Sequence, residues 1–599
     1  VARNMKKFLG HIWGNAHTAL NVTRGSGFAD VLLLGGVAGI IFGLFNFSTE
    51  WTAPSSEAIT IDLSPWALPK YAFFSLSRGL IAYMLSLIFT LLYGYWAAKD
   101  KIAQRVLIPL LDILQSLPVL AFLPVVSITL MRLFPGKNIG LELVVIVTIF
   151  TGQAWNMTFS FFHSINSLPL EMREAAAVYR FNWWERFKWM ELPYSMMGLV
   201  WNSMMSMAGG WFFLMICESF TLDGHKYALP GIGSYMAAAC AKSDIGQRHT
   251  AQFWAIIAMI LMIVMLDQLL WRPIVVWAQK FRVEEGGAQE NAESWFLDFL
   301  RRSKILSWIA ERFESQPDLS AQPIPAVPDQ PIAVIATASE RLPDVHKPNI
   351  LGKAISTTIF VASCAGLLWG GYTIVMLLLQ VPGGQWKAIG IGAFATLTRV
   401  VIATVLGTMW ALPAGLAIGL SPKLSRVLQP VVQVAASFPA PMLYALVWLA
   451  LKPLGLDTVS TVLMLLGTQW YILFNVIAGA MAIPADLKEM SHSFGVTGWQ
   501  RFWTLYAPAC FPYLVTGWVT AAGGAWNASI VSEYLTIGSD KPIVATGLGA
   551  IISEVAGVAG KESTLAASVV VMSAMVVLFS RFAWKPLYEL AESRFSLSK

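Results

Sequence analysis

Residues 169–193 read Pro169-Leu-Glu-Met-Arg-Glu-Ala-Ala-Ala-Val-Tyr-Arg-Phe-Asn-Trp-Trp-Glu-Arg-Phe-Lys-Trp-Met-Glu-Leu-Pro193. The stretch is helical by propensity and too polar to cross a bilayer, yet apolar runs flank it on both sides. It is long enough for two short helices set at an angle. A second copy runs from Pro484 to Pro508, with Glu489, Gly495, Trp499 and Arg501-Phe502 inside it. The pairs Pro169/Pro484, Glu174/Glu489, Trp184/Trp499, Arg186/Arg501 and Pro193/Pro508 all stand 315 residues apart.

The correspondence extends outward. Trp155 and Trp470, Gly209 and Gly524, Trp211 and Trp526, and Glu218 and Glu533 keep the separation of 315. Nearer the N-terminus, Ser77-Arg78 matches Thr398-Arg399, Pro109 matches Pro430, and Ser116-x-Pro118 matches Ser437-x-Pro439, all at 321. One short deletion separates the two registers. Constant registers over this length mark a tandem duplication. Each copy holds an even number of apolar runs, so both insert in the same orientation. The expected symmetry is a pseudo-twofold along the membrane normal, with a pathway between the halves.

Composition agrees with a membrane chain. Of 599 residues 13% are charged and 56% are hydrophobic, where a soluble chain carries roughly 25% charge. Disorder, a disulfide scaffold and a large soluble enzyme are excluded on these figures. The apolar runs predict an all-α polytopic protein of about twelve spans. Six lie near 31–47, 72–97, 106–131, 140–163, 194–218 and 251–277, and six near 354–379, 394–420, 428–451, 458–482, 510–533 and 563–584. The domains are therefore 1–281, a linker at 282–348, and 349–599. The linker turns from acidic to proline-rich, and Ala292 to Phe313 has the pattern of an amphipathic surface helix. Lys and Arg cluster near both termini and in the loops after the fourth and tenth spans, which predicts that these are cytoplasmic. The first long apolar run starts near Val31, too far in for an ordinary cleaved signal peptide. Cys217, Cys240, Cys364 and Cys510 form no C-x-x-C pair and the seven histidines are scattered, so no metal or redox site is expected.

The loop at 169–193 resembles the E-A-A-x3-G-x9-I-x-L-P motif of permease subunits in ABC importers. Glu174, Ala175, Ala176, Leu192 and Pro193 match it, while Arg180 replaces the glycine. In the second copy Glu489 and Gly495 match, while Met490, Ser491 and Ala507 depart. The flanks Ser75-x-Ser77-Arg78, Pro118-x-x-Ala121-x-x-Pro124 and Trp211-x6-Glu218 resemble the nitrate/taurine/sulfonate/bicarbonate branch. So do Thr396-x-Thr398-Arg399, Trp526-x6-Glu533 and Gly547-Leu-Gly549. The resemblance covers both six-span units and implies two permease units fused in tandem. It implies coupling helices around Glu174, Ala175, Ala176, Arg180 and Arg186, and around Glu489, Gly495 and Arg501, that dock on ATP-hydrolysing subunits. It further implies two such ATPase subunits, an extracytoplasmic solute-binding protein, a bacterial inner-membrane location, and a small anionic or zwitterionic solute. No G-x-x-x-x-G-K-[ST] occurs, and the look-alike at Gly557 to Glu562 has the wrong spacing. ATP and magnesium are thus expected in the partners, with no cofactor in this chain. A glycine at position 495 suits the turn between the two short helices. Arg180 takes a positive φ only at a cost, so the first loop is expected to turn, or to contact its ATPase, differently.

Charge inside the membrane is costly, so Arg78 is expected near Glu218 and Arg399 near Glu533. Two roles stay open for these arginines: structural pairing, or lining the pathway to attract an anion. Asp112 is expected to hydrogen-bond between helices or to face the pathway. Pro118, Pro124, Pro439 and Pro441 are expected to break helices near mid-membrane. Trp211 and Trp526 are either packed interface residues or a candidate gate. Two other classes compete with an ABC permease. A secondary transporter with parallel repeats would need ion-coupling acids in mid-span, where Asp112 alone is a candidate. A non-transporting scaffold has no need for duplicated coupling loops.

Overall fold

The computed structural model describes residues 27–53, 60–116, 118–222, 225–242, 244–281, 294–303, 350–536, 542–556, 558 and 560–595. Among these, eight helices are long and apolar enough to cross a membrane. They are Asp30–Thr52, Pro65–Lys99, Ile139–Asn166, Trp183–Cys217, Ile245–Phe281, Gly383–Leu420, Leu456–Met481 and Glu562–Ala591. The pair Pro422–Ser437 and Pro441–Leu454, bent by 87°, makes a ninth when counted as one broken span.

The apolar runs predict about twelve spans, and these eight or nine are the ones that length and composition pick out among the described residues. The expected span at 106–131 is two helices, Lys101–Ser116 and Val119–Leu133, parted before Pro118. Pro118 is the extended residue that precedes the second helix, and proline has no N–H with which to continue a helix. The break between Ser437 and Pro441 repeats the device around Pro439. Pro124, by contrast, sits inside a continuous helix. Ile350–Leu378 is a single helix of 29 residues. Ala507–Ser532 is helical throughout, but Thr516, Thr520, Asn527 and Ser529 dilute its apolar character.

The chain divides into two compact units, one of residues 1–42 with 291–371, the other of 43–290 with 372–599. In the larger unit both repeats pack alike. Ile139–Asn166 lies between Leu68–Phe89 and Leu192–Cys217, and Leu456–Met481 lies between Gly383–Leu420 and Ala507–Ser532. Lipid supplies no hydrophobic drive between helices, so close approach by small residues matters. A Cβ added at Gly210 would overlap the Gln153 amide, and one at Gly419 would crowd Ala480 and the Ile477 carbonyl. In the smaller unit the helix Trp295–Arg301 is capped by the Ser294 hydroxyl. Ser303 Oγ there donates to Asp30 Oδ1 at 2.6 Å. The rest of the expected linker, and of its amphipathic helix, lies outside the described residues.

After Glu218 the chain makes a hairpin, Ser219–Leu222 against His225–Ala228, and then a short helix, Ile232–Cys240. After Glu533 it repeats this with Tyr534–Leu535 against Ile543–Val544 and the helix Leu548–Val555. Each hairpin folds the chain back against the span it has just left.

Candidate functional site

That return builds a cradle around each membrane-depth charge. Arg78 lies on the helix Leu68–Phe89 and is fully buried. Its Nη1 donates to Glu218 Oε1 at 2.8 Å and to the Pro230 carbonyl at 2.8 Å. Its Nε and Nη2 donate to the two oxygens of Glu142, both at 2.6 Å. Four of the five guanidinium N–H groups are thus engaged. Ser75, one helical turn before Arg78, donates to Glu218 Oε1 at 2.6 Å and accepts the Ile232 N–H. The Gly233 N–H donates to Glu218 Oε2 at 2.7 Å. Gly231 is required by space, because a Cβ there would overlap the Glu218 carboxylate.

The second half repeats the arrangement. Arg399 Nη1 donates to Glu533 Oε1 at 2.8 Å and to the Thr546 carbonyl at 2.7 Å. Thr396 donates to Glu533 and accepts the Leu548 N–H, as Ser75 does in the first half. Gly549 N–H donates to Glu533 Oε2 at 2.9 Å, and a Cβ on Gly547 would overlap that carboxylate.

Sequence reasoning missed the third member of each set. Glu142 and Asp457 are 315 residues apart, each in the first turn of its helix, Ile139–Asn166 and Leu456–Met481. That register was the available signal, hidden because an acid near a helix start reads as a favourable dipole partner. Their environments differ. Glu142 is fully buried and bidentate. Asp457 is 63% exposed, reaching Arg399 Nη2 through Oδ1 at 2.5 Å and Nε through its carbonyl at 3.1 Å. The first cradle therefore buries two carboxylates and one arginine away from water, and the second opens at one side. The side chain of Asp112 lies outside the described residues.

The two polar loops fold alike. Leu170–Val178 and Trp183–Arg186 form the first, and Ala485–Ser493 and Gly498–Arg501 the second. Each runs into a π-turn, at Phe187–Glu191 and Phe502–Tyr506. Between the short helices Arg180 has φ 53° and Gly495 φ 66°. The first loop thus turns as the second does, and the strain foreseen at Arg180 is accepted rather than avoided. Glu174, Ala175 and Glu489 are exposed, while Ala176 is buried against Leu168 and Met190. Arg501 Nε donates to the Val496 carbonyl at 2.9 Å, whereas the buried Arg186 Nε has no hydrogen-bond partner among the described residues. Both loop surfaces expose large apolar groups, among them Val178, Tyr179, Trp184, Phe494 and Trp499.

Trp211 and Trp526 are each 2% exposed and belong to one continuous apolar core. The Trp211 ring lies where a Cβ on Gly79 would touch it at 3.2 Å. Contact between the repeats includes the Val119 N–H, at the start of the broken helix, which donates to Asn527 Oδ1 at 2.8 Å.

Residues 90–270 and again 403–584 match the family described as binding-protein-dependent transport system inner membrane component. The chain belongs to this family. It is a permease component of ABC transport systems, carrying the family domain twice in tandem. Both polar loops, both cradle glutamates and both tryptophans fall inside the matched segments, while Arg78 and Arg399 lie just before them. The chain is similar to the nitrate import permease protein of Synechocystis, 31% identical over 208 residues, or 32% of this chain and 74% of that protein. It is similar to the bicarbonate transport system permease protein of the same organism, 27% identical over 28% of this chain and 59% of that protein. The taurine transport system permease protein of Escherichia coli is 24% identical, over 24% of this chain and 50% of that protein. A permease of this family is a multi-pass inner-membrane protein that works with an ATPase and a substrate-binding protein, the ATPase being a separate subunit.

Proposed function

We propose that this permease forms the translocation pathway of an importer for a small anionic or zwitterionic solute, of the nitrate, sulfonate or bicarbonate kind. The reading divides the chain into a first permease unit at 1–281, a linker at 282–348 and a second unit at 349–599. Both termini and both coupling loops face the cytoplasm, two ATPase subunits dock below, and a solute-binding protein docks above. ATP and magnesium act in those ATPase subunits.

The observation that carries the reading is the doubled loop. Two copies of one helix–turn–helix stand at equivalent places in a duplicated chain, each with an exposed glutamate and exposed aromatic rings. Closure of an ATPase dimer on ATP would move both loops together, and the rigid helices that follow would carry that motion to the pathway. The relatives' names support the solute class, since nitrate, bicarbonate and taurine are anions or a zwitterion.

Within this function the cradles hold structure. Four of the five N–H groups of Arg78 are spent on protein acceptors and the side chain is fully buried, which supports pairing over anion binding. Their buried packing supports Trp211 and Trp526 as braces between helices. Co-purification tests the reading. Wild-type chain retains ATPase subunits, and Glu174→Ala with Glu489→Ala lowers both their retention and solute-stimulated ATP hydrolysis. Unchanged retention and unchanged stimulation in the double variant would sink it.

A further inference from the structure

The coupling loops follow one path with different chemistry at the tip. The turn at 180 and the turn at 495 share their backbone bonds: Phe181 N–H to the Ala176 carbonyl and Val496 N–H to the Ser491 carbonyl, both 3.0 Å. Glycine enters this left-handed region freely, whereas a Cβ is strained there. Arg180 is the only non-glycine residue with positive φ among the described residues. The turn itself does not need arginine, because glycine makes the same turn 315 residues later. The Arg180 side chain is exposed, and no hydrogen bond or ion pair holds it among the described residues. Among the described residues no side-chain bond of Arg180 offsets the strain, and strain kept at an exposed tip points to a contact made outside the chain.

The loops also differ in stiffness. In the first, Asn182 and Glu185 form a reciprocal cap, with Glu185 N–H to Asn182 Oδ1 at 2.9 Å and Asn182 N–H to Glu185 Oε2 at 3.0 Å. Lys99 then ties the loop's end to the second span by an ion pair with the buried Glu191. In the second, Thr497 gives no side-chain cap, Gly498 has φ 50°, and Leu420 and Tyr506 stand where Lys99 and Glu191 would be.

We propose that the two coupling loops are inequivalent ATPase docking sites, the first matched to an ATPase surface that presents a carboxylate to Arg180. The inference rests on the docking reading above. Both tips offer an apolar, aromatic surface, and the first alone adds a cation at the turn. A charge at that place contributes selectivity between partners more than bulk affinity. The partner is thus either a pair of different ATPase chains, or one ATPase type seated in two ways.

A photo-crosslinking residue placed at Val178 or at the equivalent Ser493 reports each site separately in the intact complex. Arg180→Gly and Arg180→Glu are expected to cut ATPase cross-linking at 178 about tenfold while leaving 493 unchanged, with Arg180→Lys staying near wild type. Arg180→Gly relieves the turn, so loss of folding cannot account for a loss of docking. Wild-type cross-linking at 178 in Arg180→Gly, or an equal fall at both positions, overturns the inference and leaves the docking reading standing. So does an effect that appears only in vesicles containing anionic lipid, which would assign Arg180 to a headgroup. Failure of the wild-type chain to cross-link at either position removes the docking reading, and the inference with it.

Discussion

Arg78 meets Glu142 through two parallel bonds of 2.6 Å, and no part of either side chain reaches solvent. The pair joins the helix Leu68–Phe89 to Ile139–Asn166, and Glu218 adds the end of Leu192–Cys217. One arginine thereby fastens three helices at one depth. A charge in such a place is stable only with its partners, because removing one leaves the others buried and uncompensated.

Arg78→Ala should therefore be among the most damaging substitutions in the chain. It strands Glu142 and Glu218, and the expected loss is about 3–5 kcal/mol. Asp457→Asn is expected to cost about 1 kcal/mol or less, because that carboxylate is 63% exposed and screened by water. Thermal unfolding of the detergent-purified chain compares them. Equal losses would show that the two cradles are not as differently sealed as their geometry states.

The carboxylate cradles also fix two glycines by space. Gly231→Ala and Gly547→Ala should each lower yield and melting temperature, because the added methyl lands on the Glu218 or Glu533 carboxylate. Gly523→Ala, where nothing lies within 4 Å, should be neutral. Comparable behaviour of all three would contradict the cradle packing.

Lys99→Met leaves the Glu191 carboxylate, 1% exposed, without its cation. Hydrogen exchange should rise across 183–191 and stay unchanged across 498–506, which has no such tether. Uptake that rises equally in both segments, or in neither, would remove the tether from the account.

Trp211→Ala and Trp526→Ala each empty a large buried volume, with an expected cost of about 3–5 kcal/mol. Trp211→Phe should recover much of the loss. If Trp211→Ala instead left stability intact and raised solute leak in proteoliposomes, the residue would be a gate and not a brace.

Some of this was legible in the residues. The repeat, the polar loops and the arginine–glutamate sets are visible because duplication keeps chemistry at constant register. The third acid of each set was not read, although Glu142 and Asp457 keep the same register, since neither stands out locally from a helix-start acid. A run of apolar residues does not reveal where proline divides it, as around Pro439. At Arg180 the chain turns as it does at Gly495, so the expected difference in the turn is not found, and propensity at one residue does not show this.

By itself, then, the sequence determined that this is a duplicated, helical membrane permease with two matching polar loops, since hydropathy and register are properties of the chain alone. Only the tertiary structure decided that the cradles are unequal. Whether water reaches an acid depends on what packs over it, and Glu142 is covered where Asp457 is not. Burial of that kind is set by neighbours distant in the chain.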